Sequence, residues 1–476
     1  AARFPGYAPL PINPFARLGE ADGHYQSNMA GYGVSGQLDW DLGNAALTSI
    51  SAYRWWDWNP ANDGDSTALA NVTKAQQANR QRQFSQEIQF LINAGKLNGL
   101  IGAYYLNASA LTQFESRLYT TINGFAAFTN ADIGTDTLAG FADFSYDLTD
   151  QLSLSLGGRY TVDKRDGYIL RQNYLGGGSP VFGSPGVAFG AAQTNFRGSS
   201  TFKKFTPKAS LSFKPAPGQQ VYASYSQGFK GGGFDPRGVG INAIDLNGDG
   251  TKSQDEIAKF LSFRPEKVNS YELGYTGDLF DRRVYIALAA FYMDYTDVQI
   301  PGSVACNAGG VATFCGVVSN AGKARMKGFE AETRAKLIQS DAGTLSFTGS
   351  LGYIDAKYTK YIANIASVPT DVAAFRKVQN TPAWSGNVSA TYTAALAGGT
   401  LAVSGGASFK STTYQFEIAN PFLDQRAYAL LDASAACRLL SAATALPSPV
   451  RRHRLPNHLT HRIAHRTPGV EWAPGP

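Results

Sequence analysis

The chain has 476 residues, 43% of them hydrophobic and only 16% charged, with 51 glycines, 24 tyrosines and 28 phenylalanines. A soluble domain carries about a quarter charged residues, so a water-facing surface is poorly supplied, and no run of about 18 uncharged apolar residues offers a transmembrane helix. The net charge is +6, but nearly all of it sits in the arginine-rich stretch after residue 437, so the body of the chain gives no basis for a nucleic-acid interface.

Ala1 to Leu18 is proline-rich and reads as loop, with no signal peptide ahead of it. An exported barrel needs one, so the start of the gene product is expected upstream. From about residue 31 the pattern becomes period-two. Residues 151–162 are typical: Leu152, Leu154, Leu156, Tyr160 and Val162 fall on one face, and Ser153, Ser155, Arg159 and Thr161 on the other. This is the alternation of a strand with lipid on one side and a wet lumen on the other. Residues 400–410 repeat it, with Leu401, Val403, Ala407 and Phe409 opposite Ser404, Ser408 and Lys410.

Short turn-forming connectors recur at 42–44, 93–96, 147–150, 215–218, 278–282, 339–343 and 397–399. Longer segments alternate with them, at about 59–80, 118–133, 170–200, 231–266, 301–320, 359–380 and 417–426. Short turns at one end and long loops at the other are the asymmetry of outer-membrane barrels. Trp55, Trp56 and Trp58, with Tyr104, Tyr105, Phe291 and Tyr292, gather at strand ends, where amphipathic rings favour the membrane interface. The alternating runs number about 15, each about 10 to 17 residues, longer than soluble strands of about 5–6. The expected fold is an all-β, transmembrane antiparallel β-barrel.

Two features carry chemistry. Residues 245–256 match the calcium-loop pattern D-x-[DN]-x-[DN]-G-x5-E. Asp245, Asn247 and Asp249 offer side-chain oxygens, Thr251 a carbonyl, Ser253 a direct or water-mediated ligand and Glu256 a bidentate carboxylate, while Gly250 permits the sharp turn. Lys252 and the lack of a clear helix before Asp245 argue for a lone structural loop rather than a paired sensor. Cys306 and Cys315 lie in one segment expected to face an oxidising compartment, which reads as a disulfide staple; two lone thiols holding a metal is the weaker alternative. Only His24 lies outside the tail, and no Ser/His/Asp or Cys/His constellation is present, so the expectation is a protein that is not an enzyme.

Four segments in this order resemble the barrel strands of TonB-dependent receptors: QFSQE at 83–87 followed by GLIGAYY at 99–105, VYASYSQGFKGG at 221–232, PEKVNSYELG at 265–274, and NAGKARMKGFE at 320–330. The resemblance spans about residues 31–435. It implies a 22-stranded barrel closed by an N-terminal plug that touches TonB, of which this chain holds the barrel portion, about 15 strands. It also implies an outer-membrane location, with lipid, the TonB complex and a small-molecule ligand such as a siderophore as partners and no nucleic acid. No ligand-binding residue can be named from it, and the plug and TonB-contacting residues have no counterpart positions.

The expected organisation is therefore an extracellular loop remnant at 1–30, the receptor-like barrel at 31–436, and an aberrant Arg/His/Pro-rich tail at 437–476, expected to be disordered. Six prolines after residue 446 cannot pair as central strands, and the change of composition reads as a shifted frame or truncation. The spacing of His453, His458, His461 and His465 fits no tight zinc motif. The expected function is active import of a scarce nutrient. A passive porin-like barrel and a secreted calcium-dependent adhesive protein are the alternatives.

Overall fold

A strand that alternates apolar and polar residues can satisfy its backbone only by pairing, and pairing fixes which residues share a face. The computed structural model describes residues 7–8, 10, 20, 25–63, 67–68, 74–117, 124–308, 311–365, 368–396, 398–439 and 459–465. The strands are β1 (Gln26–Asp41), β2 (Ala45–Asn62), β3 (Lys74–Ala94), β4 (Leu97–Arg117), β5 (Ala126–Asp147), β6 (Leu152–Leu175), β7 (Val187–Phe213), β8 (Gln219–Lys230) and β9 (Gly233–Phe234). A single α-helix among the described residues, α1 (Gln254–Leu261), leads into β10 (Ser262–Phe263), β11 (Glu266–Leu279), β12 (Val284–Ala308), β13 (Val311–Ser340) and β14 (Gly343–Ile365). The last are β15 (Val368–Asp371), β16 (Trp384–Leu396), β17 (Gly399–Lys410), β18 (Tyr428–Leu439) and β19 (Leu459–His465).

Seventeen of these form one antiparallel sheet, and β9 pairs separately with β10. Each sheet strand pairs with its neighbour in sequence, except that β8 pairs with β11 across the β9–β10 excursion and β14 pairs with both β15 and β16. The short connectors expected from the sequence are the turns, although Ala397 lies outside the described residues.

The sequence expectation needs adjusting in three places. The sheet has 17 strands rather than about 15. It starts at Gln26 rather than 31, and β18 runs on to Leu439. Within residues 301–320, expected as a loop, 301–308 and 311–320 are the paired ends of β12 and β13, in register from Pro301↔Val318 to Ala308↔Val311. Glycines and two asparagines gave that segment loop character, while its valines, threonine and phenylalanine favour the pleated pairing. Within the tail, Leu459–His465 pairs with Leu431–Cys437; the residues on either side lie outside the described set.

Register shows what the two faces are. Direct pairs link Phe90–Ile101, Tyr105–Leu138, Tyr160–Phe205, Leu273–Ala290, Phe329–Tyr353 and Val388–Ala407 on one face. Leu138, Tyr160, Phe205 and Leu273 are all exposed there. An apolar surface across so many strands, broken by a Ser49–Ser51–Gln86 hydrogen-bonded cluster, has no place in water and is the lipid face. The opposite face is wet: Ser155 donates to Ser145 at 3.0 Å, Lys208 pairs with Asp143 at 3.1 Å, and the Arg159 guanidinium lies over the rings of Tyr104 and Phe141.

The conventional core lies beyond the membrane, where the excursion between β8 and β11 folds onto the ends of β5, β6 and β7. Ala131, Ile169, Phe196, Phe234, Ala243, Ile257 and Leu261 pack into one buried cluster. Phe196 is fully buried, its ring 4.9 Å from that of Phe234. Phe196→Ala should cost this cap about 3–5 kcal/mol. Limited proteolysis should then cut residues 244–253 faster while the barrel keeps its heat-modifiable mobility on a gel; unchanged cleavage would refute the cap's dependence on that ring.

Candidate functional site

The short turns and long segments lie at opposite ends of the strands, so the cap sits at the long-loop mouth. Its floor comes from inward-facing positions of β6 and β7. Arg171 is buried there, donating from Nε to Gln193 Oε1 at 3.2 Å and from Nη1 to the Arg237 carbonyl at 3.1 Å. Thr194 ties the same excursion down, accepting at Oγ1 from the Gly240 N–H at 2.7 Å and donating to the Gly238 carbonyl at 3.0 Å. Asp235 receives Arg237 from its side chain and its backbone.

Residues 245–256 form the outer edge of this cap. Asp245 accepts from the N–H groups of Gly248 at 2.7 Å and Gly250 at 2.8 Å. Gly248 and Gly250 have φ of +73° and +81°, a left-handed backbone that glycine adopts without a Cβ penalty. Asp249 accepts from the Thr251 backbone and hydroxyl, each at 2.7 Å, and from Asn247 Nδ2 at 2.8 Å. The Thr251 hydroxyl and N–H, with Asn247, hold the Asp249 carboxyl below its ordinary range.

Ser253 then caps α1 in a capping box with Glu256. Glu256 accepts from the Ser253 N–H at 2.9 Å and the Leu246 N–H at 2.6 Å, which hold its carboxyl below the ordinary glutamate range. A carboxyl so shifted stabilises the fold fully above its ordinary pKa and loses that contribution only as pH falls through the lowered one.

The structure thus places Asp245, Asn247, Asp249, Thr251, Ser253 and Glu256 in one loop that enters a helix after Ser253, as the spacing requires. Their side-chain oxygens are turned to the loop's own N–H groups. Among the described residues no group of three or more His, Cys, Asp or Glu is gathered to hold a metal. The donor set fits calcium in kind and spacing, and a cation would have to draw the carboxylates together.

Sequence reasoning missed what anchors the loop. Gln254 donates from Nε2 to the Asn195 carbonyl and accepts from the Arg197 N–H, both at 2.9 Å, joining α1 to β7. Ile257 and Leu261, one helical turn apart, face the cap core and could have been read as an apolar stripe. Arg171 and Gln193 carried no local signal. Cys306 pairs in register with Thr313, and Cys315 with Val304, which sets the two cysteines diagonally on one face of the β12–β13 ribbon; their side chains lie outside the described residues.

A second mouth cluster joins Ile300, Tyr361 and Val372. The Tyr361 hydroxyl donates to Glu417 at 2.7 Å and the Arg376 guanidinium lies 5.2 Å from its ring centre. Deeper, on the wet face, Glu330, Glu332, Ser350, Ser385, Asn387 and Lys410 line a recess of about 400 Å³.

A lipid face, a wet face and long folded mouth segments define the wall of an outer-membrane β-barrel. The chain belongs to the TonB-dependent receptor family: residues 2–444 match the family described as TonB dependent receptor-like, beta-barrel. Its fold is similar to the ferric yersiniabactin uptake receptor FyuA from Yersinia pestis, with a TM-score of 0.61 and 19% identity over 86% of this chain and 54% of that one. It is also similar to the siderophore receptor PiuA from Acinetobacter baumannii, with a TM-score of 0.61 and 16% identity over 88% of this chain and 59% of that one. A stretch of 192 residues is 26% identical to the metal-pseudopaline receptor CntO of Pseudomonas aeruginosa, covering 40% of this chain and 21% of that protein. The chain spans little more than half the length of these solved structures. Outer-membrane residence follows from the family, which consists of transport receptors and does not favour the porin-like or secreted-adhesin readings.

Proposed function

We propose that this chain is the barrel of an active importer for a metal chelate such as a ferric siderophore, energised by the TonB complex through a plug inside the lumen. The observation that carries this reading is the likeness, over nearly the whole chain, to receptors named for siderophores. A polar inner wall suits passage of a hydrated chelate, and two folded clusters at the mouth offer surfaces on which a ligand can rest. The intact receptor should support uptake of radiolabelled iron from one ferric siderophore, and deletion of either the receptor or TonB should reduce that uptake to background. Uptake that persists without TonB would refute the active-import reading.

Calcium is proposed as a structural ligand of Asp245, Asn247, Asp249, Thr251, Ser253 and Glu256. Outside the cell, calcium at about 10⁻⁴–10⁻³ M is enough to fill a weak extracellular site. The ion would offset the mutual repulsion of the loop's carboxylates. Calorimetry of the intact receptor at millimolar calcium should give binding heat that Glu256→Gln greatly weakens; no heat, or no effect of the substitution, would show the motif to be coincidental.

A disulfide between Cys306 and Cys315 is proposed to staple the β12–β13 ribbon. Diagonal neighbours stand about 7–8 Å apart, so closing the bridge requires the backbone of the ribbon to shift inward there. In exported, non-reduced receptor both thiols should resist alkylation; free labelling of both would disprove the staple.

A further inference from the structure

One hairpin of the wall comes apart. β5 and β6 stay paired from Asp147↔Ser153 to Ala126↔Tyr174, and β3 and β4 over their full length. β7 and β8 pair only from Phe213↔Val221 to Lys208↔Ser226. The next residue up β7 is Pro207, which has no N–H to give the ladder and is tolerated at strand edges. Phe205 stands just above it, opposite Tyr160, and both rings are exposed. The ladder therefore parts at the outer margin of the apolar band, where water can replace the lost partners.

Above Pro207, β7 keeps β6 on one side and presents an open edge on the other. In an antiparallel ladder one residue turns both its N–H and its C=O to one neighbour, and the next residue turns both to the other. The Lys214 N–H donates to the Gln151 carbonyl, on the β6 side. Asn195 and Arg197 have the opposite parity, and they meet Gln254 of α1 outside the sheet. Ser199, Thr201, Lys203 and Phe205 share that parity. Their N–H and C=O groups point out of the open edge, and no strand pairs with them there among the described residues. The edge runs about 20 Å from Pro207 up to α1, and all four side chains are exposed.

Gln254 shows what this edge accepts. Its amide donates to the Asn195 carbonyl and accepts from the Arg197 N–H, both at 2.9 Å, as the peptide group of an adjoining strand would. The four residues below repeat the same pattern of donors and acceptors. Charge selects the occupant. Lys203 and Lys204 lie on β7, and Lys267 on β11 is close enough to Lys204 to repel it. None of the three has an ion pair among the described residues. Asp166, opposite Ser199, is already paired with Lys164 at 2.9 Å. A second copy of this chain would bring lysine against lysine, and lysine on an open edge guards against such self-pairing. An acidic segment would offset the charge instead.

We propose that the open edge of β7, between Pro207 and α1, takes an extended acidic peptide of another protein as an added strand. Main-chain hydrogen bonds to Ser199, Thr201, Lys203 and Phe205 supply affinity, and the lysines select for carboxylates along the peptide. The inference rests on the barrel reading alone and not on the identity of the imported ligand.

The test uses intact receptor in nonionic detergent, its fold verified by heat-modifiable gel mobility. The probe is a fluorescent peptide of about seven residues, alternating threonine and glutamate, which matches the length of the edge. Binding is read by fluorescence anisotropy. The dissociation constant should be about tenfold lower than for the same peptide with lysine in place of glutamate. N-methylation of every amide keeps the charge and removes the donors, so it should weaken binding by about tenfold or more. Thr201→Pro removes one outward N–H and leaves the β6 ladder intact, so it should weaken binding about tenfold with heat-modifiable mobility unchanged. Lys203→Glu, at an exposed side chain, should abolish the preference for glutamate. Absence of binding at millimolar peptide overturns the proposal, as does equal binding of the N-methylated form or undiminished binding by folded Thr201→Pro. A receptor that dimerises without peptide, and ceases to do so on Thr201→Pro, overturns it in favour of pairing between two copies. Loss of heat-modifiable mobility in the parent protein would instead defeat the barrel reading beneath it.

Discussion

Hydrocarbon offers no partner for a backbone N–H or carbonyl, so every strand that enters it must be paired on both sides. The other features of this chain follow from that constraint. Continuous antiparallel pairing fixes register over long stretches, from Lys74↔Arg117 to Ala94↔Leu97 between β3 and β4 without a break. Register then assigns every side chain to lipid or lumen. Where strands carry large residues, the ladder also needs room: at Gly328 a Cβ would lie 2.0 Å from the Tyr353 carbonyl, so a side chain there would force the β13–β14 pair apart. Bulges occur toward the two ends of the strands, at Lys323/Ala324 and Thr296/Val298 near the mouth and at Lys336/Ile338 near a short turn, where the backbone leaves lipid and water can satisfy the disturbed groups.

This explains why the wall was legible in the sequence and the mouth was not. In the wall, period two is imposed by lipid on one side and water on the other, so Leu152 to Val162 shows its faces in isolation. Turns at Gly43, Gly95 and Gly218 need positive φ, and their glycines mark them. At the mouth both faces of a strand can be covered by folded loops or by water, and alternation fades. Residues 301–320 lost their strand signal for that reason, although the pairing of β12 with β13 continues through them. The calcium motif survived as a pattern because its spacing is local. Its anchors on β7, by contrast, depend on a contact between Gln254 and a backbone 59 residues earlier, which no local pattern encodes.

Burial at the mouth is bought with polar groups as well as apolar ones. Gln193, Thr194 and Asp235 are as buried as the ring of Phe234, and Arg171 nearly so. A buried cation is tolerable only where fixed dipoles replace its water, and here a side-chain amide and a main-chain carbonyl do so. That makes the cap specific in position: a slip of the excursion relative to β6 would leave the Arg171 guanidinium without the Arg237 carbonyl and Thr194 without its two backbone partners. Apolar packing alone would tolerate such a slip far better.

The cap and the wall are consequently held by different means. The wall is a ladder in which each strand other than β1, β15 and β19 is locked by two neighbours, so its opening is cooperative over much of the sheet. The cap rests on one apolar cluster, the Gln254 bridge and the Thr194 and Arg171 contacts. Its local free energy of opening is therefore set by far fewer interactions, and none of them lies in the lipid-embedded ladder. A mouth segment can rearrange around a ligand while the membrane-spanning register stays fixed.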